Sequence, residues 1–181
     1  MKISLFVVAA TLLLSPYRPA CAAESRDAAI TPLGEFSNMR IRGEHCSGYS
    51  LQLWRSKVGL YGLIMVCNGL VGDTPTGVLE SLSWNRDSGS LSWKARLTLG
   101  SDVLDSGEQV PSRDAFVFSG RLTASTITGK LVKKDTADPD ADTTTTTLVL
   151  NKRPGDMQGF PDYAAWRHAA DVILQLRGPR W

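Results

Sequence analysis

GVLESLSWNRDSGSLSWKARLTL, residues 77–99, is the stretch that decides the fold. Apolar and polar side chains alternate along both halves, which is the period of a half-buried β-strand. Residues 86–89 predict a four-residue turn with glycine where a positive φ is needed. If Asn85 lies opposite Ser90, the two halves form an antiparallel hairpin with one apolar face. The apolar pairs of this register are Trp84 with Leu91, Leu82 with Trp93, and Val78 with Leu97.

The same alternation recurs before and after this hairpin. The predicted strands cover residues 36–42, 47–55, 58–67, 77–85, 90–99, 114–122, 126–133 and 144–151. Most connections between them are short, which favours antiparallel neighbours. We therefore predict a mainly all-β domain over residues 36–151. Its architecture is expected to be an up-and-down β-barrel, or a β-sandwich, of about eight strands.

Residues 152–181 are expected to form a C-terminal helix and tail. Between residues 161 and 177 the apolar period changes to that of an α-helix, and a glycine–proline pair at Gly178 follows as a stop signal. One outer face of the predicted sheet carries Trp54 and Tyr61, and it is too apolar to be left in water. The helix is predicted to cover that face.

The N-terminus has the order of a secretory signal peptide. Lys2 precedes an apolar run over residues 3–14, and Ala20 and Ala22 have the spacing of a cleavage site. We therefore expect residues 1–22 to be removed near Ala22 and the mature chain to be periplasmic or fully secreted. The apolar run is too short to span a bilayer.

Two further points concern the residues around the cleavage site. An alternative is lipidation at Cys21, although Arg18 and Pro19 are unusual residues to find just before a lipidated cysteine. Residues 23–35 are expected to be a flexible segment in front of the β domain.

The balance of charged residues limits which classes of partner are expected. The whole chain has 20 basic and 18 acidic residues, and loss of the signal peptide removes two basic residues and no acid. The mature chain is therefore balanced and lacks the electrostatic footprint of a nucleic-acid binder. No later segment is long and apolar enough for a transmembrane span, so we expect none.

Cys46 and Cys67 are predicted to form a disulfide, because an even pair in an oxidising compartment normally bridges. A two-residue turn at Ser56 and Lys57 would place the two cysteines directly opposite each other. A wider turn that uses Gly59 would shift this register. Two thiols and two histidines are too few for a metal site, and no metal or cofactor is expected.

The inner face of the predicted sheet is the first candidate site. Its residues are Glu80, Trp93, Ala95, Phe118, Gly120 and Gly129. A carboxylate on an apolar face is costly unless it is paired, so Glu80 could anchor a ligand. Alternatively, Glu80 forms an internal ion pair, or a β-bulge turns it outward. Glycine within a strand leaves room for a ligand, but the interior aromatic side chains could fill that room instead.

Two loops are the second candidate site, at the rim of the sheet. Residues 69–77 form a glycine-rich loop that offers Asp73 and Thr74, and residues 101–113 form another. No Lys-Ser/Thr pair closes the first loop as in a phosphate-binding P-loop, so it could equally be a plain connection. Residues 135–142 are an acidic loop that lacks the glycine and the final acid of a calcium loop.

Three functions remain open at this point. The first is an exported, non-catalytic binding module for a small apolar ligand in the interior. The second is a module for a protein partner of the cell envelope, as an inhibitor or immunity-type protein would be, with contacts from the rim loops. The third is a hydrolase that uses Glu80 with a second acid. A cavity in the interior would favour the ligand, and a filled interior would favour the partner.

Overall fold

The computed structural model describes residues 28–138 and 140–181. The predicted signal peptide and its cleavage site lie outside the described residues. The strands are β1 Thr31–Ser37, β2 Arg40–Arg42, β3 His45–Arg55, β4 Leu60–Leu70, β5 Thr76–Val78, β6 Glu80–Trp84, β7 Ser90–Leu97, β8 Ser101–Val103, β9 Gln109–Pro111, β10 Asp114–Leu122, β11 Thr126–Asp135 and β12 Thr144–Lys152, and the helix is α1 Tyr163–Arg177.

Nine strands form one antiparallel sheet that almost closes into a barrel. Their order is β5-β4-β3-β1-β12-β11-β10-β7-β6, with β2 paired to β3 and with β8 and β9 in a separate hairpin. The two terminal strands, β5 and β6, are successive pieces of one segment that is interrupted only at Leu79. The strands thus follow one another around the barrel in chain order. This confirms the predicted up-and-down barrel and decides against a sandwich.

Closure depends on residues without a side chain at the crossing point. The Leu79 amide donates to the Gly62 carbonyl at 2.9 Å. A Cβ on Gly62 would lie 2.6 Å from the Leu79 side chain, and a Cβ on Gly77 would lie 2.6 Å from the Arg96 carbonyl oxygen. These glycines let the segment shared by β5 and β6 approach β4 on one side and β7 on the other.

The hairpin that decides the fold keeps the predicted register near its turn only. Trp84 lies opposite Leu91, and the Asn85 amide donates to the Ser90 carbonyl at 2.9 Å. Further along, Glu80 lies opposite Lys94 rather than Ala95. The cause is a β-bulge at Ser81, the one non-glycine residue with positive φ (50°) among the described residues.

The register of β3 and β4 is shifted by two residues from the two-residue-turn prediction. The turn spans residues 56–59, and the backbone amide of Ser56 donates to the carbonyl of Gly59 at 2.9 Å. Cys46 consequently lies opposite Gly69 rather than Cys67. A shift of two keeps every side chain on its predicted face. The disulfide forms as predicted, with 5.7 Å between the Cα atoms of Cys46 and Cys67.

Two strand regions differ from the sequence expectation. The segment over residues 23–35, expected to be flexible, contains the start of β1, which pairs with β3. Pro32 and a register shift before Gly34 break the alternation there, so the pattern hid the strand. Residues 101–113, expected to be a loop, contain the short hairpin of β8 and β9.

The helix covers the outer face of the barrel as predicted. The Asp162 side chain caps it by accepting from the Ala165 amide at 2.8 Å. Trp166 packs against Trp54 and Tyr61, with ring centroids 6.2 and 5.2 Å apart. No helix in the described ranges is long and apolar enough to cross a membrane.

We predict that Gly77→Ala lowers the free energy of unfolding by about 1–3 kcal/mol, because its new methyl group would overlap backbone of β7. Gly59→Ala is the matched control, since a Cβ there meets no atom within 4 Å. The control should change stability by less than about 1 kcal/mol. Urea unfolding of both variants measures this, and equal stabilities would contradict the account of closure.

Candidate binding surface at the loop end of the barrel

The barrel interior is filled by its own side chains. Trp93, Ala95 and Phe118 are each about 1% exposed. The rings of Trp93 and Phe118 stack with centroids 5.2 Å apart. Four surface clefts of about 320 to 700 Å³ are lined by residues outside the predicted interior set.

Gly120 and Gly129 face each other as the sequence predicted, but the space beside them holds protein. A Cβ on Gly120 would lie 2.6 Å from Cζ of Phe118, and one on Gly129 would lie 2.7 Å from the same atom. These glycines therefore admit the Phe118 ring. The aromatic side chains thus fill the space that these glycines could have left for a ligand.

Glu80 does not belong to the interior, which corrects its place in the predicted ligand set. The bulge at Ser81 leaves the Glu80 side chain 44% exposed. Arg96 donates to Oε1 of Glu80 from Nη2 at 2.9 Å and from Nε at 3.0 Å. An exposed, ion-paired carboxylate has neither the burial nor the neighbour that an internal anchor requires.

The predicted rim loops do come together. We call this end of the barrel, where β4, β7 and β11 finish, the loop end. A cleft of about 700 Å³ lies there between residues 72–75, the β8–β9 hairpin and the C-terminal end of α1. Asp73 and Thr74, the predicted rim residues, line this cleft together with Leu176 and Arg177.

Side chains and backbone brace the walls of the cleft. The Arg177 guanidinium donates to Oγ1 of Thr74, which ties the helix end to the rim loop. The Arg180 amide donates to Oγ1 of Thr98 at 3.0 Å. The disulfide lies at the foot of the same loop, and the Val71 amide donates to the Glu44 carbonyl at 2.9 Å. A surface held in this way loses little freedom on binding.

A buried polar cluster anchors the hairpin of β8 and β9. Asp114 is 2% exposed and forms an ion pair with Lys133 at 2.8 Å. The Ser112 hydroxyl donates to Oδ2 of Asp114 at 2.9 Å and accepts from the Leu99 amide at 2.7 Å. Both ends of the segment that carries the hairpin are thus hydrogen-bonded to one buried site.

The carboxylate of Asp102, on β8, is unfavourably placed, because it is close to two other negative charges, those of Asp135 and Asp114. Its Oδ2 is buried without a hydrogen-bond partner among the described residues. Burial raises the pKa of Asp102, and the negative charges of Asp135 and Asp114 raise it further, whereas Lys133 lowers it. Burial likewise raises the pKa of Tyr49, which Lys133 lowers.

Exposed apolar side chains concentrate at the loop end. The structure exposes twelve large apolar or aromatic residues in its described part, and seven of them lie here. They are Ile41, Leu70, Val71, Val103, Leu104, Leu176 and Trp181. Leu176 is 76% exposed and Val103 is 72% exposed. A concentration of this kind beside a cleft is typical of an interaction surface.

The charge of the cleft is mainly positive. Arg177 and Arg180 line it, Asp73 is the acid in the lining, and neither arginine forms an ion pair in the described part of the chain. Sequence reasoning missed both arginines and Leu176. The sequence feature that could have indicated this surface is Leu176, because it is an apolar residue outside the apolar stripe of α1 and is therefore expected to be exposed.

No protein-family model, no curated protein and no solved structure matches this chain. Among the residues described, no group of three potential metal ligands is brought together.

We predict that Asp102→Asn raises the free energy of unfolding at about pH 7, where the unfavourable carboxylate is ionised, and gives no gain at about pH 3. The sign follows from the raised pKa. Ionisation destabilises the folded state, and the effect vanishes below the ordinary pKa, where both states are protonated. Asp105→Asn, at the exposed tip of the same hairpin, is the control. Denaturant titrations at both pH values measure the difference, and a loss of stability at neutral pH would refute the assignment.

Proposed function

We propose that the mature chain is an exported, non-catalytic binding module that engages a protein partner through its loop end. The observation that carries this proposal is the group of exposed apolar side chains beside a braced cleft. Val103 and Leu176 are its most exposed members. Apolar anchors on preorganised loops are the features that provide affinity in protein interfaces.

The filled interior supports a protein partner over a small ligand inside the barrel. Trp93 and Phe118 occupy the space that an internal ligand would need. Opening that space would expose close-packed aromatic surface to water, at a cost of several kcal/mol. Recognition at the surface requires no such rearrangement.

The cleft also indicates the chemistry of the partner. Arg177 and Arg180 provide guanidinium groups that bind carboxylates in two-point contacts. Leu176 provides an apolar contact next to them. We infer that the partner presents an apolar side chain next to an acidic one. An inhibitor or immunity-type role is the form that this function takes if the partner is an enzyme of the cell envelope.

A hydrolase built around Glu80 has no geometric support. Glu80 is exposed, its Oε1 accepts two hydrogen bonds from Arg96, and it lines none of the four surface clefts in which a substrate could meet a second acid.

We predict that Leu176→Asp and Val103→Asp each abolish capture of the partner, because a carboxylate replaces an apolar anchor. The chain is expressed in its native cells with an affinity tag inserted after Glu24, behind the predicted cleavage site, and captured after crosslinking. Wild type should retain a partner that both variants lose. The intact mass of the recovered chain should lack residues 1–22.

Val149→Asp is the matched control, because Val149 is 45% exposed on β12 and is not one of the exposed apolar residues of the loop end. It should capture the same partner as the wild type. Equal capture by wild type, control and both loop-end variants would overturn the proposal, as would recovery of a chain that still carries its N-terminus.

A further inference from the structure

We propose that the opposite end of the barrel binds a small amphiphile with an alkyl chain and an anionic head group. This end, the turn end, carries the turns over residues 56–59, 85–89 and 123–125. The inference is independent of the proposed function, because none of its residues lines the loop-end cleft.

Two adjoining clefts open at the turn end. One has a volume of about 690 Å³ and the other of about 320 Å³. Trp84 and Arg86 line both clefts, so the two clefts adjoin at these side chains, and a single ligand that lies across the Trp84 ring would reach both.

The floor of this site is apolar. Leu33, Phe36 and Leu122 line the smaller cleft, and Leu60 lines the larger one. Phe36 is 2% exposed and Leu122 is 7% exposed, so both are wall residues of the barrel core. Leu33, Leu60 and Trp84 are only partly buried, so an alkyl chain that lies across them would remove apolar surface from water. Because the barrel interior beneath is filled, the alkyl chain of the ligand would lie along the surface at the end of the barrel and would not enter it.

Four cations surround this floor. Arg55, Lys57, Arg86 and Lys152 line the two clefts, and neither lining contains an aspartate or a glutamate. Arg55 and Lys152 end strands on the inward-facing alternation, after Leu53 and Leu150 respectively. The inner wall of the barrel therefore changes from apolar to cationic at its mouth.

The cations are available to an anion. None of the four forms an ion pair with a carboxylate in the residues that the structure describes. Arg86 lies over the Trp84 ring at 5.5 Å from its centroid, and Lys152 lies over the Phe36 ring at 5.9 Å. These contacts hold the charges next to apolar surface. A charge-assisted hydrogen bond to a carboxylate or sulfate there is stronger than a neutral one.

Isothermal titration calorimetry of the full chain tests the proposal, with sodium decanoate as the probe below its micelle-forming concentration. We expect saturable binding of one decanoate per chain. Decyltrimethylammonium has a comparable alkyl chain and the opposite charge, and it should bind at least about tenfold more weakly. Acetate has the head group without the chain and should show no saturable binding.

The double variant Arg86→Glu, Lys152→Glu should weaken decanoate binding by at least about tenfold, since it reverses two charges beside the apolar floor. Lys130→Glu is the matched control, because Lys130 is exposed on β11 away from both clefts, and it should bind like the wild type. Circular dichroism confirms that each variant is folded.

Three outcomes would overturn the inference. The first is equal affinity for the anionic and cationic probes. The second is unchanged decanoate binding by the double variant. The third is binding to vesicles of anionic phosphatidylglycerol without binding of free decanoate, which would assign the cations to a membrane surface. None of these outcomes bears on the loop end, so the two proposals can fail separately.

Discussion

The structure depends on one segment, residues 76–84, that pairs with two different strands. Its first part, β5, is hydrogen-bonded to β4, and its second part, β6, is hydrogen-bonded to β7. Leu79 sits between them, 6% exposed, with its amide on the Gly62 carbonyl. Without this change of partner, the sheet would have two open edges and its inner face would meet water.

Closure leaves the two ends of the barrel as the places where loops, turns and clefts gather. Trp93 and Phe118, which are paired residues on the neighbouring strands β7 and β10, stack inside the barrel, and Gly120 and Gly129 make room for the Phe118 ring rather than for a ligand. The chemical character of each end then depends on the residues at which the strands finish. At the loop end these are braced loops with exposed apolar residues, and at the turn end they are cations around Trp84.

The faces of the strands could be predicted from the sequence, whereas the exact pairing could not. Alternation of period two places Trp93 and Leu97 inward whatever the partner strand is. The side chains also keep their faces when the pairing register is wrong by two residues, as it was for β3 and β4. Glu80 illustrates the limit. The bulge that turns it outward depends on a positive φ at Ser81. Serine has no preference for positive φ, so the sequence does not predict this conformation.

The residues of the two proposed binding surfaces could be predicted only in part, because residues far apart in the chain meet there. The rim residues Asp73 and Thr74 were identifiable from a glycine-rich loop, because composition marks loops locally. Their neighbour Arg177 lies about a hundred positions later in the chain, and only the packing of α1 on the barrel brings it to Thr74. The cations of the turn end are likewise dispersed from residue 55 to residue 152 and meet through closure alone.

The central claim is that the chain's own side chains fill the closed barrel. A nuclear Overhauser spectrum of the full chain tests it most directly, because cross-peaks from the Phe118 ring report whether that ring occupies the space beside Gly120 and Gly129. The account predicts strong cross-peaks from the Phe118 ring to the Trp93 ring and to the α-protons of Gly120 and Gly129. Absence of these cross-peaks in the folded protein would contradict the filled interior.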